Sequence, residues 1–310
     1  MALLLLALNG MIEKLKHFLK SYWIFVLLSL LVVFVINLAV SKPKITLPKI
    51  DQSQLLKHPS LVSAPLEKGE IEFVSAINDK PQAPEKLPVY LARPKASYDY
   101  SILIRQKQNE TPISSVGEAE NLARAFLLKN NRLTDELSNS DYKVNFMKTG
   151  GFETFQVNNF EDADILSIEF YPKVNNYLIV GNTPFSSLME VLLNKKGIIK
   201  KVSDATANYD QSEARTLPIV SFEKAWQMLT EQKGIITALS VQETTYNPQP
   251  ARVQQVIVNT ASLAYFQEQN LPASLQPIWV FTGDTVIDGA TYSKVAIYLP
   301  AIEEDYFVKE

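Results

Sequence analysis

The chain has 310 residues, a net charge of −3 and no cysteine. The missing thiols exclude disulfides, thiol catalysis and thiolate zinc sites, and the slight acidity leaves no basic field for nucleic acid. The two histidines are His17 and His58, so a domain beyond residue 58 has no Ser/His/Asp triad, imidazole acid or base, or histidine-ligated metal.

In chain order, residues 1–21 read as a cytoplasmic tail. The apolar run Ala2–Leu8 is too short to span a membrane, and Met11 opens a basic lead-in that is itself a sensible start. Tyr22–Val40 follows, with no charged residue from Ser21 to Ser41. At about 1.5 Å per residue it matches roughly the 30 Å of a bilayer core. The expectation is a single transmembrane helix over 22–40, a signal anchor with the N-terminus inside and the C-terminal part extracytoplasmic. Lysines flank it on both sides, so orientation rests on the shortness of the tail, not on charge. Ala39-Val40-Ser41 is a rival cleavage site, but the run exceeds the roughly 7–15 residues of a signal-peptide core. Ser29 and Asn37 are polar within the run and eight apart, within roughly 80° around a helix. They are candidate contacts with another span.

Residues 41–88 hold seven of the seventeen prolines. Proline fixes φ and removes a donor, so this segment reads as a semi-extended linker. The alternative is that it wraps onto the domain, with Leu55, Leu56 and Ile71–Val74 docking.

The remainder reads as two related units, residues 89–215 and 216–310. Ser115 and Glu118 form a capping box ahead of a helix whose apolar face is Ala119, Leu122, Ala123, Phe126 and Leu127. Ser221 caps a second helix with the face Phe222, Ala225, Trp226 and Leu229, and Gly234 is placed to stop it. Both open S-[VF]-x-x-A. Strands are expected after the first helix at Tyr142–Met147, Phe152–Val157, Ile165–Tyr171, Leu188–Leu193 and Ile198–Val202, with Gly197 turning the last pair. After the second they are expected at Ile235–Val241, Val253–Val258, Ser262–Phe266, Pro277–Thr282 and Lys294–Leu299, with turn signals at Gly283-Asp284 and Asp288-Gly289. The expected fold class is α+β: a single N-terminal transmembrane helix, then two related units, each of one helix packed on an antiparallel sheet.

The stretch Ser187–Ala225, strand, K-G hairpin, strand, link and capped helix, resembles the PepSY-like pattern. Ser262–Phe266, Leu275–Phe281 and Ala296–Ala301 are spaced as in YycH/YycI-type regulatory ectodomains: an L-x-Y-[YF] strand, a Q-P-x-W strand and a closing Y-x-P-A strand. The resemblance covers about Ser187–Ile302. It implies a bacterial, non-enzymatic extracytoplasmic domain on a single membrane span, one that adjusts a membrane sensor kinase. No catalytic residues carry over.

Tyr171 and Tyr298 should point away from their apolar neighbours by the period of two, which makes them candidate partner-binding residues beside Ser29 and Asn37, or residues that sit under the helices. The acidic clusters Glu161/Asp162/Asp164, Asp284/Asp288 and Glu303–Asp305 read as turns and a solubilising end, because no calcium-loop spacing is present. Asn109-Glu110-Thr111 is a glycosylation sequon, and Trp226 and Trp279 read as core. No cofactor, metal or catalytic residue is expected. The expected function is non-enzymatic binding or regulation of another membrane or envelope protein. The alternatives are a carboxylate-dependent hydrolase of envelope polymers and a scaffold of a surface complex.

Overall fold

The computed structural model describes residues 55–64, 69–95, 100, 104, 108–151, 153–239, 253–287 and 290–308. All belong to the unit Gln52–Glu310. The strands are β1 (Glu72–Ser75), β2 (Lys86–Arg93), β3 (Asp141–Gly150), β4 (Glu153–Val157), β5 (Ile165–Tyr171), β6 (Lys173–Val174), β7 (Tyr177–Val180), β8 (Met189–Asn194), β9 (Ile199–Asp204), β10 (Asn208–Pro218), β11 (Ile235–Leu239), β12 (Val253–Phe266), β13 (Ala273–Ile287) and β14 (Ala290–Pro300). The helices are α1 (Val116–Lys129), the short α2 (Asp135–Ser138) and α3 (Phe222–Thr230).

Alternation builds the smaller sheet, which has five strands in the order β4-β3-β5-β8-β9. On β5, Leu166, Ile168 and Phe170 are fully buried. Their partners are Phe146 and Leu193, Val144 and Val191, and Tyr142 and Met189, so apolar rows run across the strands. α1 lays Ala119, Ala123 and Leu127 on this face, and its alanines let the backbone come close. The Ser115 hydroxyl accepts from the Glu118 N–H, as the capping box requires, but the Glu118 carboxylate reaches Ser114 instead of Ser115.

The larger sheet has nine strands along the path β10-β2-β13-β12-β7-β6, with β1 beside β12 and β14 and β11 beyond β13. β1 and β7 run parallel to β12, and the other pairings are antiparallel. α3 covers part of it. Phe222 meets Trp279 edge-on at 5.9 Å, Trp226 meets Phe281 at 6.3 Å, and the Trp279 indole N–H donates to the Val220 carbonyl at 2.9 Å. Gly234 does not stop α3. Gln232 takes the left-handed conformation, and a Cβ at Gly234 would lie 2.8 Å from Ile297 and 2.9 Å from Leu229, so packing selects that glycine.

The fold class expected from the sequence is corrected. The described chain is mostly β and is not two related units of one helix on an antiparallel sheet. The reason is long-range pairing: β2, β6, β7 and β10, which fall mostly within the expected first unit 89–215, join β12, β13 and β14 of the second in one mixed sheet. Val253–Val258 and Ser262–Phe266 are a single strand, and Gly283-Asp284 lies inside β13, where β12 approaches too closely for a side chain. The turn expected at Asp288-Gly289 falls outside the described residues. Residues of the expected linker pack on the sheet: Leu56 bridges Phe307, the Lys57 carbonyl accepts from Gln276, and β1 pairs with β12.

The single-pass membrane localisation is corrected as well. Among the described residues no helix is long and apolar enough to cross a membrane. Tyr22–Val40, with Ser29 and Asn37, lies outside those residues.

A Cβ at Gly283 would sit 2.0 Å from the Ile257 carbonyl, whereas one at Gly117 meets nothing. Gly283→Ala therefore costs more than about 2 kcal/mol by urea unfolding, and Gly117→Ala, inside α1, gains roughly 0.5–1 kcal/mol. Burial raises the phenol pKa of Tyr90, Tyr171, Tyr209, Tyr265 and Tyr298 above 10.0. The unfolded phenols then lose protons first, so their stabilisation is complete below pH 10 and is lost as pH rises beyond it. Lys95, held below 10.5 by burial, works in the opposite sense but is one group against five. Net stability should fall steeply above pH 10, and Tyr298→Phe should reduce the slope by about one proton.

Candidate functional site

The face of the five-stranded sheet opposite α1 is polar because the same alternation that buries Leu166, Ile168 and Phe170 turns Ser167, Glu169 and Tyr171 outward. Register then sets neighbours. Asn145 lies opposite Ser167, Lys143 opposite Glu169, Glu169 opposite Glu190, and Glu190 opposite Ser203. Two carboxylates from strands 21 residues apart in sequence thus stand side by side.

Like charges directly opposite are unfavourable in a sheet. Here neutral donors offset the repulsion. Glu169 accepts from the Asn145 amide at 2.8 Å and from the Tyr171 hydroxyl at 2.8 Å. Glu190 accepts from the Ser167 hydroxyl at 2.7 Å and the Ser203 hydroxyl at 3.4 Å, and Lys201 stands 3.7 Å away. Burial, and then the hydrogen bond to Glu169, push the Tyr171 phenol up, so it stays a donor. At the margin Asp204 accepts from Tyr100 at 2.8 Å and from Thr206, whose hydroxyl also takes a bond from the half-buried Lys95.

A cleft of about 440 Å³ opens here, lined by Glu169, Phe185, Leu188, Glu190, Ser203 and Asp204. Phe185 is exposed at its rim. A second cleft of about 600 Å³ lies between Arg93, Glu136, Tyr209 and Asp210. Its one cation is engaged, with Arg93 at 3.7 Å from Asp210 and 3.5 Å from Glu213. The sheet face has the better-organised chemistry, an acceptor-rich surface held rigid by strands. It suits a cationic or hydrogen-bond-donating ligand. Among the described residues no three histidine, cysteine or carboxylate side chains gather to hold a metal.

Of the residues expected to bind, Tyr171 lies in this site. Tyr298 does not: it is fully buried and donates to the Gly181 carbonyl at 3.1 Å. Ser29 and Asn37 are outside the described residues. Asp164 accepts from the Thr149 N–H and hydroxyl, which hold its carboxyl low, and Asp284 accepts from Asn259. Asp288 is outside the described residues. Glu304 faces His58 at 3.3 Å. Glu110 of the sequon pairs with Lys196, while Asn109 is exposed. Glu169 stands out in the sequence only as the polar side of an alternating strand. Glu190, Asn145 and Ser203 carry no local signal, and pairing alone assembles them.

Glu190 is only 27% exposed and depends on Ser167. Ser167→Ala should cost about 1–2 kcal/mol. In a Glu190→Gln background the cost should be clearly smaller, and a double-mutant cycle by urea unfolding reads the difference.

No family model matches the chain, and no curated protein matches it. Among solved structures it is similar to an uncharacterized protein from Eubacterium rectale, with a TM-score of 0.32 and 14% sequence identity. The match covers 66% of this chain, and the chain spans 57% of the length of that structure.

Proposed function

We propose that this protein is a non-enzymatic binding module that recognises a basic segment of another protein through the open face of its five-stranded sheet. One observation carries the reading: Glu169 and Glu190 stand opposite each other on β5 and β8, each already fixed by two neutral donors. Those donors hold both groups as acceptors; Lys201 at 3.7 Å partly offsets Glu190, and Glu169 is fixed by neutral donors, so the surface presents a net acceptor-rich pair to a ligand. Strand-borne side chains are held more rigidly than loop ones, which lowers the ordering cost of recognition. The resemblance of Ser187–Ile302 to YycH/YycI-type regulators supports the same class of role, action by binding.

Carboxylate-dependent hydrolysis is the second reading, favoured by the register. The Cβ atoms of directly opposed residues stand roughly 4.5–5.5 Å apart, a spacing from which two carboxyl groups can reach the roughly 5–5.5 Å used by retaining glycosidases. Against it, both carboxylates are already engaged by two hydrogen-bond donors each within the sheet.

The test places a photocrosslinking residue at Lys143 on this face of the full chain in its native cells. A discrete protein should be captured, and Glu169→Gln/Glu190→Gln should lower its yield about tenfold or more. An unchanged capture pattern would sink the binding reading. If instead either single substitution abolishes hydrolysis of an envelope polysaccharide by the purified chain, the second reading stands.

A further inference from the structure

We infer that two copies of this chain pair through β4, joining their five-stranded sheets edge to edge about a two-fold axis at Phe155.

The edges of the two sheets are not alike. β9 is covered at Ile199, where the Gln108 side chain both donates to the carbonyl and accepts from the N–H. Just before β9, the N–H groups of Thr111 and Ile113 occupy the carbonyls of Lys196 and Lys195. β10 is broken by an irregularity between Asp210 and Arg215 and ends in Pro218. β11 receives the Ala64 N–H. β1 has four residues and β6 two. Such coverings, bulges, prolines and short lengths are the usual protections of a sheet edge. Among the described residues β4, five residues long, is neither covered, bulged nor interrupted by proline: it pairs only with β3 and exposes Glu153, Thr154, Phe155 and Gln156.

The hydrogen-bond phase of β4 follows from its hairpin. Gly150 pairs with Glu153 at the turn, so Glu153, Phe155 and Val157 spend their backbone groups on β3. Thr154 and Gln156 then direct their N–H and C=O groups outward. An antiparallel copy centred on Phe155 sets Thr154 opposite the partner copy's Gln156, and Gln156 opposite its Thr154. Both sites bond, and Phe155 falls at the non-bonded position on the axis. A two-fold pairing centred on Gln156 would set Glu153 opposite the other copy's Asn159, and one centred on Thr154 would set Thr154 opposite its own mate and Glu153 opposite Phe155. Here Glu153 faces Val157 and no like charges meet. Thr154 faces Gln156, two side chains able to hydrogen-bond.

Phe155 fits the same geometry. It is half exposed, and its ring leans toward Gly150, where a Cβ would lie 2.9 Å from Cε1. Each ring therefore lies over its own β3, away from its symmetry mate, so the two rings do not collide at the axis. Five residues a side is well below a standard interface, so the pairing is weak and is best detected by trapping.

The chain has no cysteine, which makes trapping specific. Three single-cysteine variants of the full chain, Phe155→Cys, Thr154→Cys and Phe185→Cys, are oxidised with diamide at matched concentration. At the axis the two Cα atoms are about 4.5 Å apart, within reach of a disulfide. Thr154 and its own mate are diagonal neighbours at about 7–8 Å, beyond easy reach. Phe185, exposed elsewhere, measures chance collision. Phe155→Cys should form covalent dimer at least about tenfold faster than the other two. A rate for Phe155→Cys no greater than that of Thr154→Cys overturns the pairing, and so does equal, fast crosslinking of all three. Wild-type-like far-UV circular dichroism of each variant before oxidation excludes unfolding as the cause.

Discussion

The antiparallel pairing of β12 with β13 is the constraint on which the larger sheet depends. It runs from Val253 opposite Ile287 to Phe266 opposite Gln276, with irregularities near each end of Val253–Thr260. Every other strand of that sheet attaches to this pair directly or through one intermediate. β1 and β7 line β12, β2 and β14 line β13, and β6, β10 and β11 lie outside them. The pair also carries the rings that receive α3, since Trp279 and Phe281 stack on each other at 6.3 Å and meet Phe222 and Trp226. Closing so many long-range contacts costs loop entropy early, and the large apolar area buried afterwards offsets it.

The two faces of β13 are used differently. Trp279 and Phe281 belong to the core under α3, while Ile278 and Val280 belong to a separate cluster with Phe266 and Tyr298. A strand buried on both faces reads as a continuous apolar run, and Ile278-Trp279-Val280-Phe281 is one. β5 alternates in residue type, with Leu166, Ile168 and Phe170 under α1 and Ser167, Glu169 and Tyr171 on the other side, where Ser167 is buried and Glu169 and Tyr171 are half-buried. The open side of that second sheet is where polar side chains gather without desolvation beyond what hydrogen bonds repay. The contrast between the sheets explains why the candidate site lies on the smaller one.

Legibility followed the range of the interaction. Both capped helices were readable because a serine and an N–H three residues on decide the start. The limits of β5 and the positive φ of Gly197 were readable for the same reason. Gly283-Asp284 shows the opposite case. Its residue types are those of a turn, yet the glycine is there because the Ile257 carbonyl leaves no room for a Cβ. Tyr298 is a case that alternation leaves open between a binding face and a packed one. Alternation turns it away from Ile297 and Leu299, but the side it faces is a second core, not solvent.

The sequence by itself determined the local elements: two amphipathic helices with their caps, the period-two strands, and a domain without thiols and with His58 as its one imidazole past the apolar stretch. Those features depend on side chains within a few residues of one another. Tertiary structure decided that strands from both halves share one mixed sheet, and that Glu169 and Glu190 stand side by side while Tyr298 is enclosed. Strand register and sheet order are set by which distant apolar faces bury one another, and a period-two pattern specifies a face without specifying its neighbour.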